Sequence, residues 1–268
     1  MPKDSLSVVF FGDVVGKPGR RFLLQHLKEL TGAAEPPEII IANVENAAHG
    51  FGLTKTIVDE LAAAGVQLFS GGNHTFDRKE TLGFIGDYPN VLRPANYPQS
   101  APGKGTHIVQ TKDGFRLGFI NIMGRVFMEP LESPFLMVDT LIEELKPNCD
   151  AIMVDIHAEA TAEKVALGWH MDGRVSCVVG THTHVQTADE RILPGGTAYI
   201  TDVGMCGPMN GVIGMSRELV MRRFIQQLPT RLEVEEGPAI LSGIRLELDR
   251  STGKAISISR ISLVENSG

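Results

Sequence analysis

The chain has 268 residues, with 25 Lys and Arg against 32 Asp and Glu, a formal charge of −7. That length suits one or two domains, and a 43% hydrophobic content supplies a sizeable core, which excludes a disordered chain. The acidic balance argues against a chain-wide basic surface for duplex nucleic acid or anionic membrane. Cys149, Cys177 and Cys206 are odd in number and form no CxxC pair, so neither a thiolate zinc site nor a disulfide framework is expected. A reducing, cytoplasmic compartment is the expectation. MPKDSLSVVFFGD lacks the apolar core and cleavage pattern of a signal peptide, and no run of about 18 apolar residues predicts a membrane span.

In chain order, SVVFFG (7–12) predicts a buried strand. GKPGRRFLLQHLKELTG predicts a helix with Phe22, Leu23, Leu27 and Leu30 on one face and Gly32 near its end. EIIIAN (38–43) is a second strand. LTKTIVDELAAAG (53–65) is a helix capped by Thr54 and stopped by Gly65. VQLFSGG (66–72) is a third strand, with a helix expected to continue through TFDRKETLGFIGD. Residues 88–105 are proline-rich loop. THIVQTKDGFRLGFINIMG (106–124) is a hairpin around Asp113-Gly114, and PFLMVDTLIEELK (134–146) is helical. CDAIMVDIHAE (149–159), RVSCVVGTHTH (174–184) and TAYITDVG (197–204) are further strands. The tail alternates with period two about a Ser-Thr-Gly turn, a final hairpin. No repeat or linker divides the chain, so residues 1–268 are read as a single α/β domain.

The strand ends carry the chemistry. SVVFFG ends at Asp13, EIIIANV at Glu45-Asn46, VQLFSGG at Asn73-His74, AIMVDI at His157, and RVSCVVGT at His182-Thr183-His184. Sites in open α/β sheets form outside the carboxyl ends of the strands. Singly, each residue has a bland explanation as a turn, a cap or a hydrogen-bonded core group. Together they make one set of oxygen and nitrogen donors. His182 and His184 are expected on the same side of an extended segment. The donors suit Fe, Mn or Zn, and seven exceed what one tetrahedral ion needs. They fit two ions bridged by a carboxylate. GDVVGKPGR is not a phosphate loop: the spacing from Gly12 is short, and Pro18 stands where Ser or Thr should be.

These blocks resemble the calcineurin-type metallophosphoesterases: GGNH (71–74), DIH (155–157) and GTHTH (180–184) are similar to their metal-binding blocks. Two departures point to a narrower group. No His follows Asp13-Val14-Val15, and NVEN (43–46) brings Glu45 where the wider superfamily brings Asp. FFGDVVGKPGR, NVENAAHGFGLT, GGNHTFD, DIHAEATAEK, GTHTHVQTADE and TDVGMCGP all resemble the YmdB-like bacterial phosphodiesterases.

That resemblance implies a four-layer αββα sandwich, two β-sheets flanked by helices. It implies two metal ions, iron first, with manganese or zinc as alternatives. Asp13, Asn46 and His184 would bind one ion, Asn73, His157 and His182 the other, and Glu45 would bridge. His74 would be the general acid, with its orienting partner open between Asp77 and other groups. The implied reaction is hydrolysis of a 2′,3′-cyclic nucleotide to the 3′-phosphate by direct attack of a metal-bridging hydroxide. His49, Arg125, Phe51 and Phe127 are candidate substrate contacts. The alternatives are a general phosphomonoesterase or protein phosphatase on the same centre, or a nucleotide-binding regulator with little turnover. The expected partner is a small cyclic nucleotide, with no membrane and no stable duplex; homo-oligomerisation is left open.

Overall fold

A computed structural model describes residues 4–265. Two mixed sheets face each other across an apolar seam. One sheet runs β2 (Asp13–Val14), β11 (Met205–Pro208), β12 (Ala239–Asp249), β1 (Ser5–Phe11), β3 (Ile39–Asn43), β4 (Leu68–Ser70), with β13 (Ala255–Val264) also paired to β12. The other runs β5 (Thr106–Gln110), β6 (Arg116–Met123), β7 (Ala151–His157), β8 (Cys177–Thr181), β10 (Ala198–Ile200), β9 (Arg191–Ile192). β1, β3 and β4 are mutually parallel, as are β6, β7, β8 and β10.

Strand periodicity builds the layers. Leu6, Val8 and Phe10 of β1 point into the seam, where they meet Phe119 of β6 and Val179 of β8. The intervening Val9 and Phe11 point outward, against Leu23 and Leu27 of α1 (Gly16–Thr31) and Val58 and Leu61 of α2 (Lys55–Ala63). On the far side, Ile120, Val154 and Val178 pack under Val138 and Ile142 of α4 (Pro134–Leu145) and Leu167 of α5 (Thr161–Met171). Strands covered on both faces must be apolar at every position, which is why IIIAN and AIMVDIH are near-continuous runs. The result is the expected αββα sandwich.

Most local signals agree with the structure. Thr54 accepts a hydrogen bond from Ile57 N at 3.4 Å as the α2 cap. The tail forms the β12–β13 hairpin. The helix expected from Thr75 begins only at α3 (Lys79–Phe84), because Thr75–Arg78 is spent on turns that close on His74 and Gly72. Outside the sequence reading lay α5, α6 (Arg217–Gln226), β2, β9 and β11. The strands among these are too short to show periodicity, and α6 buries only Val220, so its pattern carries no core face. Among the described residues, no helix is long and apolar enough to cross a membrane.

Candidate metal centre

The carboxyl ends of β1, β3, β4, β7 and β8 turn into one pocket. Asp13 follows β1 and pairs with Met205 of β11. Glu45 and Asn46 follow β3, Asn73 and His74 follow β4, His157 ends β7, and His182 and His184 follow β8. Asp13, Glu45 and His157 are fully buried. His157 Nε2 lies 3.1 Å from Glu45 Oε1, 2.9 Å from Asn73 Oδ1 and 3.1 Å from His182 Nδ1. Donor atoms of Glu45, His157 and His182 all fall within 4.8 Å of one another. Beside this group, Asn46 Nδ2 is 3.0 Å from Glu45 Oε1 and 3.3 Å from His184 Nε2. Asp13 Oδ1 is 3.9 Å from His184 Nε2. The fold thus brings together all seven residues expected from sequence, with Glu45 touching both halves.

The donor set fits cations. Thr181 donates to Asp155 Oδ1 at 2.7 Å, so its oxygen accepts the Nδ1–H of His157 at 2.9 Å. His184 donates Nδ1–H to the Ile213 carbonyl at 2.9 Å, and His182 Nε2 lies 3.2 Å from Glu159 Oε2. Each ring commits one nitrogen to an outer acceptor, which leaves the other nitrogen facing inward, able to ligate when it carries no proton. Asp13 Oδ1 is buried with no hydrogen-bond partner. An anionic oxygen left that way is costly without a counter-charge. Gly72 is required here: a Cβ would collide with Glu45 Oε2 and His157 Nε2. Asn46 presents its NH2 to two acceptors, and a half-turn of the amide presents Oδ1 instead.

Electrostatics sharpen this picture. Burial alone would raise the Glu45 carboxyl, but His157, by charge and hydrogen bond, and His74 bring it down to about 2. Burial alone would lower His157; Glu45, Asp13 and Asp155 carry it up to about 9. Burial and the adjacent His157 push His182 down to about 3, so its ring is neutral at pH 7. Burial raises Asp13 despite His184 and His157.

The His182–His184 segment is not extended. β8 stops at Thr181, and His182 (φ 94°) and His184 (φ 64°) adopt left-handed backbone. Side-chain alternation is therefore not what unites them. Thr183 between them is clamped: Asp202 Oδ2 accepts from Thr183 N at 3.1 Å and from Thr183 Oγ1 at 2.6 Å. Lys164 of α5 donates to the same Asp202 oxygen at 2.7 Å, in a pair buried to within 1%. These contacts hold two strained residues, as an over-determined site can.

His74 lines the pocket beside the cluster. Its backbone N–H donates to Glu45 Oε2 at 2.8 Å, and its Nδ1 lies 2.8 Å from Asp77 Oδ2. Asp77 is therefore the group that orients the ring. Phe51 packs edge-on against it at 5.0 Å. Phe51, Ile213, Met215 and Leu232 form the apolar wall of a cavity of about 280 Å³ in front of the cluster. Of the other candidate contacts, His49 lines the adjoining cavity, while Arg125 and Phe127 line neither, with Phe127 89% exposed.

Several supporting residues lay outside the sequence reading. Asp202 follows β10 and meets the strand-end criterion that found the others. Asp155 is an acid inside an apolar run, a second readable signal; burial pushes its carboxyl up to about 7 against the pull of His157 and Ser70. Lys164, Glu159 and the Ile213 carbonyl carry no local signal, because their partners are distant in sequence.

This sandwich, with its buried carboxylates, amides and imidazoles at the strand ends, defines a metallophosphoesterase. The family model described as "YmdB-like protein" matches residues 9–261, and the chain belongs to that family. It is 52% identical over 256 residues, 96% of each chain, to a Bacillus subtilis protein named 2′,3′-cyclic-nucleotide 2′-phosphodiesterase. A Mycoplasma pneumoniae structure described as a novel phosphatase superposes with a TM-score of 0.91 at 37% identity, covering 98% of this chain and 94% of its own. A Thermus thermophilus structure described as a hypothetical protein has a TM-score of 0.91 at 41% identity, covering 97% of this chain and all of its own. The chain is an enzyme of the phosphoric-diester-hydrolase class.

Proposed function

We propose that the chain hydrolyses 2′,3′-cyclic nucleotides to nucleoside 3′-phosphates on a dinuclear metal centre. The observation that carries this reading is the convergence of inward ring nitrogens on the unpartnered Asp13 Oδ1 and on Glu45, beside His74. Asp13, Asn46 and His184 would hold one ion, Asn73, His157 and His182 the other, with Glu45 between them. Bound there, two divalent ions, of which iron, manganese and zinc suit the donors, supply hydroxide near neutral pH and neutralise phosphoryl charge.

The chain's own residues supply the rest. His74, oriented through Nδ1 by Asp77, has Nε2 left to protonate the departing ribose oxygen. The apolar wall of Phe51, Ile213, Met215 and Leu232 offers area for a base. A covalent cysteine route is disfavoured: Cys177 and Cys206 are fully buried, and burial raises both thiols, Cys206 to about 12.

The test is a substrate panel on metal-loaded protein. 2′,3′-Cyclic AMP should be turned over with 3′-AMP as product, in preference to phosphomonoesters and phosphopeptides. Preferential turnover of monoesters would replace this reading with a general phosphatase on the same centre.

A further inference from the structure

The cavity before the metal centre has a neighbour. Phe51 and Leu232 also line a second cavity of about 640 Å³, more than twice the volume of the first. Cationic side chains enter it from several elements: Lys17 and Arg20 from α1, Arg78 from the turn before α3, and Arg231 from the segment after α6. Arg78 is fixed through Nε to the Phe51 carbonyl at 3.1 Å and through a terminal nitrogen to the Ala48 carbonyl at 2.8 Å. Arg20 is held by the Ala47 carbonyl. Lys17 and Arg231 have no carboxylate within ion-pair distance among the described residues.

Acids are present too. Glu233, Glu235 and Glu236 line it from the same segment as Arg231. Glu235 is engaged locally, accepting from the backbone N–H of Arg217 at 2.9 Å and of Glu236 at 3.1 Å. The cavity is thus lined by four cationic and three acidic side chains, beside the centre of a chain whose formal charge is −7.

We propose that this second cavity binds the 5′-flanking phosphate of single-stranded RNA whose 3′ end carries the 2′,3′-cyclic phosphate. This rests on the phosphodiesterase reading above and deepens it. A cyclic phosphate occupies O2′ and O3′ of the terminal ribose, so O5′ is the ribose oxygen left for chain extension. With the terminal phosphate at the metal centre, the chain must leave through a neighbouring opening. The cationic cavity is such an opening, and Phe51 at the junction supplies an aromatic face for a base. RNA cleavage by its own 2′-OH leaves ends of this kind, so that class of reaction would supply the substrate. The balance is simple: water oxygen bonds to phosphorus, the P–O2′ bond breaks, and O2′ takes a proton. The RNA leaves with a 3′-phosphate and a 2′-OH.

Two measurements test this. In the first, kcat/KM is compared for 2′,3′-cyclic AMP and for a trinucleotide ending in 2′,3′-cyclic adenosine phosphate, on the metal-loaded protein. The trinucleotide should be favoured at least about tenfold, and Lys17→Glu or Arg231→Glu should remove about tenfold of that ratio. A ratio near one, or one that neither variant changes, overturns the proposal. In the second, a fluorescent trinucleotide ending in 3′-phosphate is titrated by anisotropy. Binding should weaken with salt by about 0.7 in log K per log salt for each phosphate contacted. Binding that neither salt nor the two charge reversals weaken overturns the cavity assignment. If neither substrate is turned over, the phosphodiesterase reading fails, and anisotropy still decides the cavity.

Discussion

Removing Asp202 tests the support of the histidine loop. Its carboxylate accepts four hydrogen bonds: from Lys164 Nζ at 2.7 Å, Thr183 N at 3.1 Å, Thr183 Oγ1 at 2.6 Å and Gly204 N at 2.8 Å. Asp202→Ala leaves the Lys164 ammonium buried without a counter-charge, which costs about 3–5 kcal/mol. With a urea m-value near 3 kcal/mol/M, that is a midpoint shift of about 1–2 M. Lys164→Met should cost a similar amount, because it strands the Asp202 carboxylate. Lys164→Met with Asp202→Leu replaces both charges by apolar groups, so stability should largely return. Activity should not return, because Thr183 has lost the acceptor that holds His182 and His184 in left-handed backbone. Urea unfolding and turnover of 2′,3′-cyclic AMP, measured on all three variants, separate the two effects. A double variant that regains both stability and turnover would refute the positioning role of Asp202. An Asp202→Ala cost below about 1 kcal/mol would refute the buried-pair energetics.

Four further outcomes are expected. His74→Asn should retain metal but lower kcat at least about 10²-fold, and Asp77→Ala should lower it about tenfold with KM little changed; an unaltered kcat in His74→Asn removes that residue as the acid. Glu45→Gln should lose both ions together, so elemental analysis finding two ions retained would exclude a bridging role. Gly72→Ala should weaken metal binding while circular dichroism stays native, because the added Cβ meets Glu45 and His157; unchanged metal content would contradict the packing described. Metal binding should release protons at pH 7. Glu45 holds His157 up to about 9, and a ligand imidazole must be neutral. Affinity should therefore rise with pH, by about one decade per unit up to that value, and calorimetry in two buffers reads the proton count.

Much of this molecule is legible in the chain. Doubly covered strands must be apolar throughout, so β1, β3, β7 and β8 announce themselves, and the residue that breaks each run marks a strand end. That rule located Asp13, Glu45, Asn46, Asn73, His157, His182 and His184 before any fold was known. Asp202 meets the same criterion, but nothing local marks its role, because its partners Lys164 and Thr183 lie on α5 and after β8.

What the tertiary structure decided is orientation. Strand ends can be read from local hydrophobic pattern, because burial on both faces is a local demand on composition. Which imidazole nitrogen faces inward depends on Thr181, Glu159 and Ile213, and only the packing of separate elements brings each of them to its histidine. The loop after β8 reverses the alternation expected of it, because Asp202 and Lys164 hold Thr183 in place against the backbone preference of its neighbours. The placing of a cavity lined by Lys17, Arg20, Arg78 and Arg231 beside the metal pocket likewise depends on α1, the turn before α3 and the segment after α6 meeting in space. The chain by itself determines which groups stand at the strand ends. Long-range contacts determine where their lone pairs and charges point.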